Sequence, residues 1–223
     1  MASLEGLTVA VLGGTGPQGR GLVRRWATAG IATVIGSRDA GRAADVAGQL
    51  ADATGGDVRG LANADAAAAG DVVVVAVPYD GHRELLASLR TELAGKVVVD
   101  CVNPLGFDKQ GGYVLDVPDG SAAQEAAALL PDSVVVAAFH HVSAVILNDP
   151  EIASVDTDVL VLGEGEDRDA TDLVRALADV IPGVRGIYAG RLRNAHQVEA
   201  LTANLIAVNR RYRAHAGLRL TDV

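Results

Sequence analysis

The chain predicts an α/β fold, a doubly wound and mostly parallel sheet with a small C-terminal helical cap or extension. Three observations carry that prediction. An apolar run opens directly into a glycine-rich segment, strand and helix patterns alternate along most of the 223 residues, and several strand candidates are apolar on both faces. A strand covered by helices on both sides reads as a continuous aliphatic run, whereas a half-exposed strand alternates.

The first element is Leu7-Thr-Val-Ala-Val-Leu12, followed at once by Gly13-Gly-Thr-Gly-Pro-Gln-Gly19. The spacing Gly14-x-Gly16-x-x-Gly19 after a strand and before a helix is the dinucleotide fingerprint of a Rossmann-like fold. Gly14 is expected to make the sharp turn, Gly16 to let the backbone approach a pyrophosphate, and Gly19 to let the helix pack on the strand. Free N–H groups at the helix start favour a diphosphate. Pro17 suits that first turn, where a missing N–H costs nothing.

The second strand, 32–36, ends in Ser37-Arg38, where an NAD-binding fold usually has an acidic residue. A hydroxyl and a guanidinium suit a 2′-phosphate, because Arg donates paired, charge-assisted hydrogen bonds. Arg42 follows in the first turn of the next helix. NADP is therefore favoured over NAD. Asp39 reads as the N-cap of that helix, the rival reading being a displaced ribose ligand.

Further strands are expected at 57–61, 71–77, 96–102, 133–139, 158–162 and 184–188, and helices at 81–93, 121–130 and 169–181. Ser121-x-x-Gln124 has the form of a capping box. The Gly- and Pro-bearing stretch 103–120 reads as a loop long enough to act as a flap. The expected organisation is an NADP-binding unit over 6–139 and a smaller C-terminal unit over 140–223. In the last helix, Val198, Leu201, Leu205, Val208 and Tyr212 form an apolar seam, suited either to docking on the sheet or to pairing with a second subunit.

Composition bounds the function. The formal charge of −9 argues against nonspecific nucleic-acid binding. No apolar stretch approaches the roughly 20 residues that span a bilayer, and no secretory pattern opens the chain, so no membrane role and a cytoplasmic location are expected. A single cysteine, Cys101, cannot form an internal disulfide and reads as a buried strand residue. The five histidines show no metal-ligand spacing, so no metal site is expected. Of the arginines, Arg20, Arg24 and Arg25 read as a solvated helix face.

Ligands of doubly wound sheets lie outside the carboxyl ends of the strands. Those ends carry Val77-Pro78-Tyr79, Asn103-Pro104 and His140-His141-Val142, which nominates them as the borders of a pocket.

Taken in order, Gly13-Gly-Thr-Gly16 with Gly36-Ser-Arg38, Val77-Pro-Tyr79, Ala138-Phe-His140 and Gly190-x-Leu192-x-Asn194-x-x-x-Val198-Glu-x-Leu-Thr202 give a specific resemblance. From Leu7 to about Leu220 the chain resembles the F420-dependent NADP oxidoreductases. The resemblance implies reversible hydride transfer between a reduced 5-deazaflavin, coenzyme F420, and NADP⁺, by a homodimer. It also implies that Gly14, Thr15, Gly16, Pro17, Gln18 and Gly19 surround the pyrophosphate, and that Ser37, Arg38 and Arg42 hold the 2′-phosphate. Val77, Pro78, Tyr79, Asn103, Pro104 and His140 would border the nicotinamide. The deazaflavin would stack between the turn holding His140, Val142 and Ala144 and the segment Leu192, Arg193 and Asn194. Arg191 and Arg193 would face its anionic tail or simply solvent.

The two rings carry such chemistry, so little is asked of the side chains beyond orientation. No catalytic residue is expected with certainty, His140 being a candidate for orienting a ring. The alternatives are an NADPH-dependent reductase of an imine, carbonyl, flavin or ferric chelate, and an NADP-sensing module without turnover.

Overall fold

The structure is a computed structural model that describes residues 3–165 and 167–223. Its centre is a six-stranded parallel sheet, built from β1 (Thr8–Leu12), β2 (Ala32–Ser37), β3 (Val58–Ala62), β4 (Val72–Val75), β5 (Val97–Asp100) and β8 (Val134–Ala137). The order is β3-β2-β1-β4-β5-β8, so the sheet winds outward in both directions from β1 and β4. Val9 stands opposite Thr33 on one side and Val72 on the other.

The aliphatic strands have two buried faces, each with its own core. Val9, Val11, Val72, Val74, Val99 and Val136 pack under α1 (Pro17–Thr28), α2 (Ala40–Thr54) and α8 (Arg168–Asp179). Ala10, Leu12, Val73, Val75, Val98 and Val135 pack under α3 (Asn63–Ala69), α4 (His82–Ser88), α5 (Arg90–Leu93) and α6 (Ala122–Leu129). Adjacent strand residues feed opposite cores, as the pleat requires. Both cores draw residues from each side of position 139. Trp26 joins the layers: its indole N–H donates to the Leu177 carbonyl at 2.8 Å, and its ring meets Phe139 edge-on at 5.5 Å.

Several expectations change. The expected helix 81–93 is a 3₁₀ turn at Tyr79–Gly81 followed by α4 and α5, which break at Leu89. The stretch 103–120 is not a plain loop. It contains an antiparallel hairpin, β6 (Leu105–Asp108) and β7 (Gly111–Val114), closed by a turn in which Asp108 accepts from the Gln110 and Gly111 N–H groups. The strands β9 (Thr157–Val161) and β10 (Val184–Tyr188) pair parallel with one another, and meet β8 only through an antiparallel bridge from Leu162 to Ala137. Arg25 is not a solvated helix residue. Its guanidinium donates to the carbonyls of Ile146, Leu147, Asp149 and Ile152, gathering the end of α7 (Ala144–Asn148).

The last helix is α9 (Ala195–Tyr212). Its seam divides: Val198 is buried, whereas Val208 and Tyr212 are exposed. Beyond it the chain returns to β9. There the Leu218 carbonyl accepts the Asp158 N–H at 2.7 Å, and the Leu220 N–H, Arg219 and Arg185 all donate to the fully buried Asp158 carboxylate. The hydrogen bond from Arg185 leads the interactions that hold that carboxyl below the usual range, against the cost of burial.

One glycine illustrates how closely the layers approach. A β-carbon on Gly60 in β3 would lie 2.2 Å from the backbone carbonyl of Ala43 in α2. Gly60→Ala must push the helix off the sheet, at a cost of about 1–3 kcal/mol, so thermal melting is expected to fall by roughly 2–10 °C. An unchanged melting temperature would mean that α2 has slack the packing does not show.

Candidate active site

The site begins where β1 runs into α1. Gly13 holds a left-handed φ of +78°, so it makes the sharp turn expected of Gly14. Gly14 serves close approach instead: a β-carbon there would meet the Val11 carbonyl at 2.8 Å and the Ile35 side chain at 3.0 Å. Gly19 packs on the turn, with its absent β-carbon 2.8 Å from Gly13 and Gly14 backbone atoms. Gly16 is the N-cap and Pro17, which has no N–H, the first helical residue; the Gly16 N–H donates to the Gly13 carbonyl at 2.9 Å, leaving those of Thr15 and Gln18 at the helix start. The Gln18 side chain is committed elsewhere, donating to the Phe139 carbonyl at 3.2 Å, so only its backbone is available to a phosphate.

Asp39 is the N-cap of α2, its carboxylate accepting the Arg42 N–H at 3.0 Å. It is thereby occupied, and the ribose reading is not needed. Ser37 lies at the end of β2, and Arg38 and Arg42 are exposed beside it. Neither guanidinium enters an ion pair or hydrogen bond among the described residues. Two unpaired cations next to a hydroxyl form a receptor for a dianionic group.

Across the sheet from this cradle, at the carboxyl ends of β4, β5 and β8, opens a cleft of about 380 Å³. Its walls include Gln18, Val77, Pro78, Tyr79, Asn103 and His140. Val77, Pro78, Tyr79, Asn103 and His140 follow β4, β5 and β8 within four residues, and Gln18 comes from α1. The remaining walls come from the hairpin, through Leu105 and Phe107, and from α9, through Thr202 and Ile206. Thr202 closes the last segment of the resemblance, whereas Leu105, Phe107 and Ile206 carry no local motif that marks them. Cys101 also borders the cleft, with its thiol 3.0 Å from the Val75 carbonyl and its pKa pushed up by burial.

Other expected residues stand away from the cleft. Pro104 is buried behind it, and Val142 lines a separate small cavity. Ala144 opens α7, and Leu192 is packed in the second core. Arg193 and Asn194 lie in a short 3₁₀ turn before α9. Arg191 sits 3.7 Å from Glu164, an exposed and weak pairing.

His140 is placed by strain. Phe139, fully buried, adopts a left-handed φ of +63°, rare for an aromatic residue, and turns the chain into the cleft. The His140 carbonyl is then fixed twice, by the Asn103 amide at 2.8 Å and the Thr202 hydroxyl at 3.1 Å. Both imidazole nitrogens of His140 are buried with no hydrogen-bond partner among the described residues. Burial, outweighing the attraction of Asp100, pushes the His140 pKa down to about 4, so the ring is neutral and offers one donor and one acceptor.

Beneath the floor lies a second polar group. His82 is fully buried between two carboxylates, with Nε2 2.6 Å from Asp100 and Nδ1 2.9 Å from Glu125. Among the described residues no group of three His, Cys, Asp or Glu side chains is arranged to hold a metal ion.

Residues 8–104 match the family profile described as NADP oxidoreductase, coenzyme F420-dependent. An F420-dependent NADP reductase of Methanothermobacter thermautotrophicus is 41% identical over 225 aligned positions, spanning 97% of this chain and 96% of that protein. The F420-dependent NADP reductase of Methanocaldococcus jannaschii is 38% identical over 97% of this chain and 99% of its own length. The chain belongs to the F420-dependent NADP reductase family. A solved structure of a candidate F420-dependent NADP reductase from an Arthrobacter species superposes with a TM-score of 0.80 at 27% identity, covering 97% of this chain and all of that one.

This family member is expected to lose stability in acid. His141, like His140, is pushed down to about 4 by burial. As pH falls from about 6.5, the unfolded chain binds two protons that the folded chain refuses, each worth up to about 3 kcal/mol. Glu199 opposes them. Burial raises it to about 7, against the Ala122 and Ala123 N–H groups it accepts, so the folded chain keeps one extra proton in the same interval. Two histidines outweigh one glutamate, and the urea midpoint should fall between pH 6.5 and 4.5. A midpoint that rises over that interval would show the imidazoles to be hydrated or partnered.

Proposed function

We propose that the chain passes hydride between reduced coenzyme F420 and NADP⁺, and that the cleft beside the glycine turn is where the two rings meet. The single observation that carries this reading is the position of the cleft: it opens over the carboxyl ends of β4, β5 and β8, beside the reversal of strand order between β1 and β4, and α1, which follows the glycine turn, reaches it through Gln18. The naming of relatives at 38–41% identity as F420-dependent NADP reductases supports the same activity.

The residues present fit the groups required. The N–H groups of Thr15 and Gln18 at the start of α1 would hold a pyrophosphate, and Ser37, Arg38 and Arg42 a 2′-phosphate. Val77, Pro78, Tyr79, Asn103 and His140 would border the nicotinamide. When bound, the deazaflavin and nicotinamide supply the hydride donor and acceptor. The chain's own part is to hold the rings together, exclude water and present the neutral His140 ring as a hydrogen-bonding partner. Thr202 and Ile206 of α9 would border one of the two rings on that side of the cleft. The stretch 140–223 thereby completes a pocket begun by 6–139.

The exposed Val208 and Tyr212 at the end of the α9 seam support pairing with a second copy. Light scattering is expected to give a dimer, and a monomer would remove that part of the reading. Among the described residues no helix is long and apolar enough to cross a membrane. With one buried cysteine, this accords with the cytoplasmic location proposed here.

The test is stopped-flow mixing of the protein and reduced coenzyme F420 with NADP⁺, following deazaflavin absorbance, with NAD⁺ in a parallel arm. Rapid transfer to NADP⁺ alone is expected. Reduction of an imine or free flavin by NADPH without any deazaflavin turnover would overturn the reading.

A further inference from the structure

The group beneath the cleft floor has no part in the reading above. Asp100, the last residue of β5, is fully buried, as is His82, and Glu125 is 2% exposed. A carboxylate only accepts, so an imidazole touching one at each nitrogen must donate from both and carry a positive charge. Glu125 also accepts from Arg83 at 2.7 and 3.0 Å, and Arg83 reaches Asp119 at 2.8 Å. Glu199 of α9 caps the start of α6, the helix that carries Glu125, and the Tyr79 ring lies 6.1 Å from His82. These are the titratable and charged groups that surround His82 from β5, α6, α9, the 3₁₀ turn and its own helix.

Such a cluster is a poor device for stability, because well-packed apolar residues of similar volume often do as well or better than a buried ion pair. What it does locally is specific. The second Asp100 oxygen accepts the Val102 N–H at 3.0 Å, holding the backbone where it leaves the sheet as the cleft floor. One residue later, Asn103 grips the His140 carbonyl. His82, tied to α6 through Glu125, prevents Asp100 from rotating away from that N–H.

We propose that the buried Glu125–His82–Asp100 chain is a positioning device for hydride transfer, with Asp100 as its working end, fixing the Val102–Asn103 floor and through it the height of His140. The proposal rests on the cleft being the transfer site. None of the three touches the cleft, so they are positioning and not catalytic residues.

The experiment measures single-turnover hydride transfer and NADP affinity in the full chain for Asp100→Ala, Asp100→Asn and Asn103→Ala. Asp100→Ala leaves the Val102 N–H unpaired, and a misplacement near 1 Å can cost about 100-fold, so transfer should slow by roughly 10- to 100-fold with NADP affinity nearly unchanged. Asp100→Asn keeps each hydrogen bond if His82 becomes neutral: the amide donates to Nε2, its oxygen accepts from Val102, and Nδ1 still donates to Glu125. It should recover most of the lost rate.

The pH profile separates positioning from mere support. Burial lowers the His82 pKa, but Asp100 and Glu125 overcome that and raise it to about 9. Wild-type transfer should therefore fall as pH rises through about 9, and that fall should be absent from Asp100→Asn.

Wild-type speed in Asp100→Ala overturns the proposal. The same alkaline fall in Asp100→Asn also overturns it, and this arm decides the matter if Asp100→Ala does not fold. If Asn103→Ala is silent as well, the cleft is not the transfer site and the functional reading fails. Slowing in Asn103→Ala with no effect at Asp100 removes only the positioning chain.

Discussion

His140→Ala is expected to slow single-turnover hydride transfer by roughly 100-fold while NADP affinity stays nearly constant. The ring stands at the cleft, 4% exposed, on a carbonyl fixed by Asn103 and Thr202, and far along the sheet from Ser37 and Arg38. Removing it leaves space into which either ring can shift, but it does not touch the phosphate cradle. The pH profile sharpens the expectation. With its pKa pushed down to about 4, His140 does not change charge between pH 5.5 and 8.5, so the wild-type rate should show no break attributable to it over that range. A variant as fast as wild type would remove His140 from the site. A wild-type rate that follows an imidazole titration near neutrality, and vanishes throughout in the variant, would make it a proton donor instead.

Arg38→Ala should weaken NADP binding by about 1.5–3 kcal/mol, the usual worth of a hydrogen bond to a charged group, or roughly 10- to 150-fold. Binding of NAD should change far less. The structure strengthens this expectation because Arg38 has no other engagement among the described residues, and because Asp39, the one acidic rival, is spent on capping α2. Its loss therefore costs the fold little. Titration calorimetry with the two dinucleotides is the measurement. Equal weakening of both would assign Arg38 to the adenosine or to the fold.

What could be read from the sequence was whatever depends on neighbours along the chain. The strand at Thr8–Leu12, the glycine turn, the Asp39 cap and the residues that follow each strand are local patterns, and they gave the sheet and half the cleft wall. The Ser121 cap was also legible, with its hydroxyl accepting the Gln124 N–H at 3.1 Å. Long-range partnerships were not. Arg25 looks like any basic helix residue, since the carbonyls it gathers belong to a segment more than 120 positions away and carry no side-chain signal. His82, Asp100 and Glu125 come from three elements and share no spacing. The hairpin at 105–114 reads as a loop in sequence because the stretch 103–120 carries four glycines and two prolines, while pairing of Leu105 with Val114 depends on register alone. Gly13 and Gly14 exchanged roles because a fingerprint gives which positions lack a side chain, not which of them needs a left-handed φ.

The return of residues 218–220 to β9 bears on the order in which a nascent chain matures. Chains are made from the N-terminal end and fold as their parts become available. All six strands of the parallel sheet have been made once residue 137 has emerged, yet the cleft still lacks Thr202 and Ile206, and Asp158, when it follows, waits for Arg185 and Arg219. A chain halted between 158 and 184 therefore displays the glycine turn with no α9 wall opposite it and a carboxylate with no counter-charge. Competence for cofactor binding arrives early in synthesis, and the ability to shield two rings from water arrives only with the final turns.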